Sequence, residues 1–248
     1  MKALSIGDTH GHPVVEEVKK LLPEYDKIIF IGDYVDSFTL TNPTISHNLF
    51  DLIQFRKDNP DKVVLLWGNH DLHYLFGSML HRCTGYRPEA RFDLYDMFNK
   101  NRELFKAAYQ VNNSLWTHAG IHAGWYKQRF NKYIKTNNLE GFNISDQICY
   151  AFDRYEKSLF DVGYLRGGNY DVGGPFWCDR RELTNNPLRG YHQIVGHTKV
   201  SDYNTIHKYN DTSVTFIDII ESHMKDCGHL RSNSFYPLKI KNYVSKRT

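Results

Sequence analysis

The sequence KIIFIGDYVDSF, residues 27–38, leads from an apolar run directly into two acids, Asp33 and Asp36. A short run of β-branched and aromatic residues that closes on glycine predicts a buried strand. Carboxylates that lose their water as a fold closes cost several kcal/mol each unless something compensates them. The pair therefore requires a cation, hydrogen bonds or exposure to solvent.

The same form, an apolar run that closes on glycine and polar residues, recurs along the chain. Such runs are KALSIGD (2–8), KVVLLWGNHD (62–71), SLWTHAG (114–120) and QIVGHT (193–198), and later strands are predicted in SVTFIDI (213–219) and LKIKNYV (238–244). Helical periods lie between the first of them, in PVVEEVKKLLPEY (13–25) and PTISHNLFDLIQFRKD (43–58). Strands that alternate with helices predict an α/β fold.

Two further stretches, 72–112 and 124–165, have a helical period and are rich in aromatic residues, as in EARFDLYDMFNKNRELFKAAY (89–109). We interpret them as helical insertions that interrupt the strand series and form a cap beside the sheets. Because no repeat, low-complexity tract or clear linker separates them from the strands, we expect residues 1–248 to form a single domain.

Length and composition restrict the class of protein. A chain of 248 residues buries enough surface to fold without disulfides. Its four cysteines have no CxxC spacing and its first residues do not read as an export signal, which predicts a cytoplasmic location. No apolar run approaches the roughly 20 residues of a membrane span. A net charge of +3 is too small to indicate a nucleic-acid partner, and the sequence leaves the oligomeric state open.

Polar side chains follow five of the predicted strands, at the point where each strand ends. They are Asp8 and His10, Asp33 and Asp36, Asn69, His70 and Asp71, His118, and His197. Because ligands of α/β sheets bind beyond the carboxyl ends of the strands, we expect these side chains to meet. Carboxylates, an amide and imidazoles without thiolates suit Mn, Fe, Zn or Mg ions. The pattern therefore indicates a two-metal site, in which one carboxylate of the opening pair is stabilised between two cations.

Five motifs in a fixed order carry a family resemblance. They are GDTHG (7–11), GDYVD (32–36), GNHD (68–71), HAG (118–120) and GHT (196–198). Together they resemble the calcineurin-like metallophosphoesterases, and within them the branch of the serine/threonine phosphoprotein phosphatases and the bacterial symmetrical dinucleoside tetraphosphatases. The resemblance implies a four-layer fold, with two mixed β-sheets packed face to face and helices outside, which agrees with the α/β pattern.

The resemblance also implies a role for each motif residue. One divalent metal is expected on Asp8, His10 and Asp33, and a second on Asp33, Asn69, His118 and His197, so that Asp33 bridges the two. His70 is expected to be the general acid, and Asp36 the partner that orients it and keeps it protonated. We expect manganese as the metal, with Fe, Zn and Mg as alternatives.

The expected reaction follows from charge. Two ions about 3.5–4 Å apart neutralise phosphoryl oxygens and share a water whose pKa falls toward roughly 7, so that a bridging hydroxide attacks phosphorus in line. No covalent enzyme intermediate is required. The expected substrate is a phosphorylated protein or a small phosphorylated or nucleotide compound.

Two positions depart from the phosphatase pattern. Ser37 stands directly after GDYVD, where the protein phosphatases carry an arginine that grips phosphate, and Trp67 stands before GNHD in place of another arginine. A hydroxyl does not replace a guanidinium fork. We therefore expect the grip to come from Arg180 or, in preference, Arg181 in GGPFWCDRREL (173–183), with Arg82, Arg87 and Arg91 as weaker candidates.

Three functions remain open from the sequence. The reading favours a phosphomonoesterase of the serine/threonine protein phosphatase type. The alternative is hydrolysis of symmetrical dinucleoside polyphosphates, because GNHDLHYL (68–75) and HAGI (118–121) resemble those hydrolases closely. Those hydrolases, however, usually lack an acid at the place of Asp36 and keep the arginine that is missing at Ser37. A non-catalytic scaffold is the third and least favoured function. Such a scaffold predicts that ligand residues have been lost, whereas each expected metal ligand, His70 and Asp36 are present in this sequence.

Overall fold

The structure of the protein is a computed structural model, which describes residues 1–77, 82–227, 229–230 and 232–240. Ten strands form within these residues. They are β1 (Lys2–Ile6), β2 (Lys27–Phe30), β3 (Val63–Leu66), β4 (Phe105–Lys106), β5 (Tyr109–Val111), β6 (Ser114–Trp116), β7 (His192–Val195), β8 (Asn204–Tyr209), β9 (Thr212–Phe216) and β10 (Tyr236–Lys239).

The strands form two five-stranded mixed sheets. The first has the order β10–β1–β2–β3–β4, in which β1 to β4 are parallel and β10 is antiparallel at the edge. The second has the order β5–β6–β7–β9–β8, with a parallel centre and an antiparallel strand at each edge. The parallel strands of each sheet therefore have their carboxyl ends on the same side of that sheet.

Helices fill the connections. They are α1 (Val15–Leu21), α2 (Asn42–Asp58), α3 (Asn69–Phe76), α4 (Arg91–Lys100), α5 (Ala123–Trp125), α6 (Asn131–Thr136), α7 (Ile144–Asp153), α8 (Arg180–Asn185) and α9 (Ile220–Cys227). The predicted helix over 43–58 corresponds to α2, which begins after Thr41, whose hydroxyl accepts the backbone N–H of Thr44. Of the helices in the described ranges, none is both long and apolar enough to cross a membrane.

Side chains of β2 show how the layers arise. Because successive side chains of a strand point to opposite faces, Ile28 and Phe30 pack with the apolar residues of α1 and α2 on one side. Ile29 and Ile31 pack on the other side with Trp116 of the second sheet. Sheet 1 is therefore buried on both faces, which explains its continuous apolar runs.

The second sheet is covered in the same way. Its outer face packs Val195 and Phe216 against Leu183 of α8. Across the interface between the sheets, the Trp116 indole Nε1 donates to the Ser5 hydroxyl at 2.9 Å. The predicted α/β fold, with two mixed sheets packed face to face and flanking helices, is confirmed.

The predicted insertions differ in how far they are helical. Residues 124–165 consist of helices and turns, including one π-helical turn at Tyr126–Phe130 that joins α5 to α6. The stretch 72–112 contains α4 but ends in β4 and β5, one at an edge of each sheet. Its carboxyl-terminal part therefore extends the strand series, contrary to expectation, because strands of two and three residues are too short to show a period of two. Of the strand predicted over 238–244, residues 241–244 lie outside the described residues.

Trp67 connects these helical segments to sheet 1. Its ring is fully buried and stacks on Phe105 at 4.4 Å between centroids. Phe98 of α4 and Phe152 of α7 lie against it at 5.5 and 6.2 Å. The residue that stands in place of a family arginine is therefore a packing residue of the core.

Candidate active site

The loops after β1, β2, β3, β6 and β7 bring the predicted site residues together. Four of these residues have a left-handed backbone, with φ of 44° at His10, 54° at Asp33, 68° at Asp36 and 63° at His197. Only seven non-glycine residues with positive φ occur in the described part of the chain. Such conformations are costly for residues with a Cβ and cluster at functional sites, where surrounding contacts hold them.

The first group of candidate metal ligands is Asp8, His10 and Asp33. One ligand atom from each lies within 4.8 Å of the others, and all three residues are buried. The His10 Nδ1 lies 2.9 Å from the backbone carbonyl oxygen of Val35. Because Nδ1 must donate to a carbonyl, the lone pair is on Nε2, as a metal ligand requires.

The second group is centred on the Nε2 of His118. This atom lies 2.7 Å from Asn69 Oδ1, 3.2 Å from His197 Nδ1 and 3.3 Å from Asp33 Oδ2. Separations of about 3 Å are those of atoms that share an ion at about 2.0–2.2 Å. His118 Nδ1 lies 2.9 Å from the Ile31 carbonyl oxygen, which again leaves the lone pair on Nε2.

Asp33 belongs to both groups, as a bridging ligand must. Its position is fixed from several sides. Its backbone N–H donates to Asp71 Oδ2 at 2.9 Å, and its Oδ1 accepts the backbone N–H of His70 at 2.9 Å. Gly68 lies so close that a Cβ there would meet Asp33 Oδ1 at 2.2 Å. Asp71, in the first turn of α3, thus braces the loop that carries Asp33.

The buried carboxylates of this cluster require positive charge nearby. Burial and the neighbouring carboxylates of Asp218 and Asp33 raise the pKa of Asp8 well above its usual value. Burial opposes ionisation of Asp33 too, but His118 and His70 hold its pKa well below the usual value. Burial and Asp33 raise the pKa of Asp218 to about 7. Several buried acids in one place destabilise the fold unless positive charge is bound among them.

Buried atoms without partners point the same way. Asp8 Oδ1 and Asp218 Oδ1 have no hydrogen-bond partner within the described ranges. Burial, followed by the charge of Arg166, lowers the pKa of His197 and so favours its neutral, ligating form. The donor set of carboxylates, imidazoles and one amide oxygen fits two hard or borderline divalent cations. The residues present therefore fit the two-metal centre that the sequence predicts.

The Asn69 amide is oriented by Cys83. Its Nδ2 donates to the Cys83 sulfur at 2.9 Å, which turns Oδ1 toward His118 and toward His197 Nδ1, 2.9 Å away. Burial and Asp33 raise the pKa of this thiol, so it remains protonated and serves as an acceptor here.

His70 and Asp36 form a second pair beside the metal ligands. The His70 Nδ1 lies 2.9 Å from Asp36 Oδ2, while its Nε2 lies 4.0 Å from Asp33 Oδ2. Burial lowers the pKa of His70, but Asp33 and Asp36 outweigh it and raise the pKa above the usual value. The imidazolium that a general acid requires is therefore favoured.

Asp36 is held by two further side chains: His73, which the sequence predicts to flank the site in a supporting or packing role, and Tyr74, which it does not single out. Tyr74 donates to its Oδ1 at 2.5 Å, and the Nε2 of His73 lies 2.8 Å from its Oδ2. The Nδ1 of His73 accepts the backbone N–H of Cys83 at 3.1 Å, so its proton is on Nε2, the nitrogen nearer to Asp36. Their spacing on α3 is the signal that the sequence offers, since His70, His73 and Tyr74 share one helix face.

These groups face a central cleft of about 520 Å³, bordered by His10, Asp33, Asn69, His70 and His197. Asp218 also lines this central cleft, and it follows β9 as the other acids follow their strands. A larger cavity of about 720 Å³ lies between β4, β5 and α7. Because its walls contain none of the predicted site residues, its size does not make it the reaction site.

The arginines predicted to contact substrate lie away from the central cleft. The Arg180 guanidinium is over the Phe216 ring, at 5.1 Å, on the outer face of sheet 2. Arg181 pairs with Asp179 at 3.1 Å and exposes 72% of its side chain. Neither is among the described residues of the cleft wall. Asp179 caps α8, the helix that begins with these two arginines.

Two other arginines, Arg82 and Arg166, do line the central cleft. Arg82, a weaker candidate from sequence, is exposed and stands over the Tyr86 ring at 5.0 Å. Arg166 was not predicted. Of the remaining weak candidates, Arg87 donates to Asn42 and nearby backbone carbonyls, and Arg91 covers the Phe92 ring.

Ser37 has a local role. Its buried hydroxyl accepts the backbone N–H groups of Thr39 and Leu40, each at 3.2 Å. The serine thus stabilises the turn after Asp36. It does not substitute for an arginine.

Comparisons with known proteins agree with the site. The profile of the calcineurin-like phosphoesterase family matches residues 1–200, which contain every motif quoted above. "Shewanella-like protein phosphatase 1" of Plasmodium berghei (strain Anka) is 22% identical over 304 residues, covering 99% of this chain and 82% of that protein. The crystal structure of a cold-active protein-tyrosine phosphatase of a psychrophilic Shewanella species has a TM-score of 0.51 at 17% identity. The match covers 88% of this chain and 71% of the Shewanella chain, and it supports the fold alone.

A family profile that covers most of the chain agrees with ligand groups that the fold brings to one sheet edge. This chain therefore belongs to the calcineurin-like phosphoesterase family and is a metal-dependent phosphoester hydrolase.

Proposed function

We propose that the protein is a phosphomonoesterase that removes phosphate from phosphorylated proteins, with manganese as its metal and the cytoplasm as its location. The observation that carries the proposal is the His70–Asp36 pair, 2.9 Å apart, beside the two ligand groups. A protonated imidazole at this place is suited to protonating the oxygen of a leaving alcohol. The similarity to a relative named as a protein phosphatase agrees with it.

Each residue of the site would have a defined task. Two bound divalent cations would supply Lewis acidity toward the phosphoryl oxygens and acidify water. Asp8, His10, Asp33, Asn69, His118 and His197 would hold these cations. His70 would give its proton to the leaving oxygen, while Asp36, fixed by His73 and Tyr74, keeps the ring oriented. The loop glycines allow the backbone to approach the ligands closely.

Hydrolysis of dinucleoside polyphosphates is the competing function. It is favoured by the motif GNHDLHYL, which includes His73. In this structure His73 contacts Asp36, the acid that those hydrolases usually lack, so the histidine has a task in the monoesterase proposal. This contact favours the first function over the second.

A substrate panel separates the two functions. Protein loaded with manganese is incubated with phosphoserine, phosphothreonine and phosphotyrosine peptides, p-nitrophenyl phosphate, its bis-ester and diadenosine tetraphosphate. We expect one or more phosphopeptides to have the highest kcat/KM, and His70→Gln to reduce turnover about 10²-fold or more. If the dinucleotide is cleaved orders of magnitude faster than every monoester, the proposal is wrong. The phosphotyrosine arm decides between serine/threonine and tyrosine residues as substrates.

A further inference from the structure

Arg166 reaches the central cleft from a part of the chain without any of the five motifs. It follows the second predicted insertion, and its side chain is 26% exposed at the wall that also contains His197 and Trp177. The arginine that protein phosphatases place after GDYVD is Ser37 here, and the candidates Arg180 and Arg181 lie away from the cleft. A phosphoryl group bound at the metal ligands would therefore meet Arg166, and Arg82 is the other arginine among the described residues of the cleft wall.

The backbone that carries Arg166 is tightly built. Tyr164–Arg166 forms a single 3₁₀ turn that ends at Gly167, with a left-handed φ of 78°. At Gly168 a Cβ would meet the carbonyl oxygen of Val162 at 2.0 Å, so only glycine fits. The ends of this loop are joined by the backbone N–H of Tyr164, which donates to the carbonyl of Tyr170 at 2.8 Å. The loop thus positions one arginine without relying on a long helix.

Two side chains fix the guanidinium. Its Nε lies 3.0 Å from Asp179 Oδ2, and its Nη2 donates to the Thr198 hydroxyl at 2.5 Å. Asp179 is itself fixed, because its Oδ1 accepts the backbone N–H of Arg181 at 2.9 Å as the cap of α8. Thr198 directly follows the candidate ligand His197, so this contact ties the arginine to the metal loop.

These contacts leave the guanidinium able to bind an anion. Of its five N–H groups, one donates to Thr198, and the Nε–H lies near Asp179 without making a hydrogen bond to a described residue, so the ion pair with Asp179 does not use up its donors. The Asp179 carboxylate also pairs with Arg181, so one negative charge is shared by two positive ones. Arg166 therefore has no carboxylate of its own as a partner. By contrast, Lys199 pairs with Glu221, and Arg82 is exposed and stands over a tyrosine ring.

We propose that Arg166 is the residue that grips the phosphoryl group of the substrate, by hydrogen bonds from its terminal nitrogens, and that Asp179 and Thr198 hold it in that orientation. The inference rests on the proposed phosphomonoesterase function and names the substrate contact within it. A planar guanidinium suits two oxygens of one phosphate, which a lysine at this place would not match.

The test compares Arg166→Gln and Arg166→Lys with the matched control Arg181→Gln, which alters the other arginine on Asp179. All are loaded with manganese, and metal content and melting temperature are measured first. Binding of inorganic phosphate is then followed by calorimetry, and KM and kcat are measured with p-nitrophenyl phosphate. We expect the phosphate Kd and the KM of Arg166→Gln to rise about 10- to 100-fold, the range for loss of a hydrogen bond to a charged group. Arg166→Lys retains the charge and should lose about tenfold, while Arg181→Gln stays within about twofold.

Each other result overturns the assignment. If Arg166→Gln and Arg166→Lys bind phosphate as the parent does, Arg166 is not the grip, although the parent's hydrolysis of monoesters still supports the proposed function. If Arg181→Gln loses affinity and the Arg166 variants do not, the contact belongs to Arg181. If Arg166→Gln fails to fold, Arg166→Lys decides, because a lysine that binds phosphate at parental affinity excludes a guanidinium fork. If the parent binds no phosphate, the assignment fails, and the substrate panel independently decides the fate of the proposed function.

Discussion

Asp36 is held in an unfavourable backbone conformation by its surroundings. Its left-handed backbone is unfavourable for a residue with a Cβ, by an amount of order 1 kcal/mol. Its carboxylate accepts from Tyr74, and although burial raises its pKa, His70 and His73 outweigh burial and lower it. The backbone strain is therefore retained where it aims a charge at His70.

Asp36→Asn tests this pairing. Because the anion raises the pKa of His70, the imidazolium persists to higher pH, and activity is lost as pH rises through that raised pKa. Removing the anion lowers the pKa of His70, so the alkaline limb of the kcat profile should move to lower pH and kcat should fall about 10²-fold. The measurement is a pH–rate profile with p-nitrophenyl phosphate at constant manganese occupancy. An unchanged alkaline limb would show that His70 is not the acid.

Gly68 shows how one position in an element controls the metal centre. It is the N-cap of α3 with φ of −112°, a backbone conformation that any residue can adopt. Glycine is required here because neighbouring atoms leave no room for a side chain. An alanine Cβ would meet the backbone N of Asp33 and its Oδ1, each at 2.2 Å.

Gly68→Ala should therefore destabilise the protein by about 1–3 kcal/mol, the usual cost of overpacking, and weaken manganese binding. Gly141→Ala is the control, since a Cβ there meets nothing within 4 Å. Urea unfolding and manganese titration of both variants measure the effect. Parental metal affinity in Gly68→Ala would contradict the close approach of α3 to Asp33.

His192, at the start of β7, makes the free energy of unfolding depend on pH. Burial, with a contribution from His207, lowers the pKa of His192 to about 4, from about 6.5 in an unfolded chain. Because the unfolded chain binds the proton more readily, this contribution to stability is complete above pH 6.5 and is lost as the pH falls toward 4. His192→Asn, which keeps an acceptor for Ser213, should make unfolding free energy fall less steeply between pH 6.5 and 5. Equal slopes in parent and variant by urea unfolding would refute this.

Elements were predictable from sequence where they are buried. The runs that became β1, β2, β3, β6, β7 and β9 are apolar because the sheets are covered on their faces, so composition alone indicated them. Strand β8, with the sequence NTIHKY, was missed because it lies at an edge and is largely exposed. Most of its side chains are in solvent, so few apolar residues mark it in the sequence.

At the scale of the whole molecule, the order of the motifs predicted more than any one of them. Asp8 and His197 are 189 positions apart, yet the His197 backbone N–H donates to Asp8 Oδ2 at 2.8 Å. These contacts could be predicted because the carboxyl ends of parallel strands lie on the same side of a sheet. Arg166 was not predictable in this way. It belongs to a loop outside the motifs, and its place in the cleft depends on the tertiary contacts of Asp179 and Thr198.

The same scale explains the helical segments. Trp67 joins α4 and α7 to sheet 1 through packed aromatic rings, so these helices share one core with that sheet. The sequence marked these segments as aromatic, but their partners are set by packing between residues far apart in the chain.

The central claim is that two cations share Asp33. Anomalous diffraction at the manganese edge, from crystals of the parent and of Asp33→Asn soaked in manganese, tests it most directly. We predict two peaks in the parent, one at Asp8 and His10 and one at Asn69, His118 and His197, both within ligand distance of Asp33, and at most one peak in Asp33→Asn. A parent with no peak at these groups, or a variant with both peaks at full occupancy, would contradict the claim.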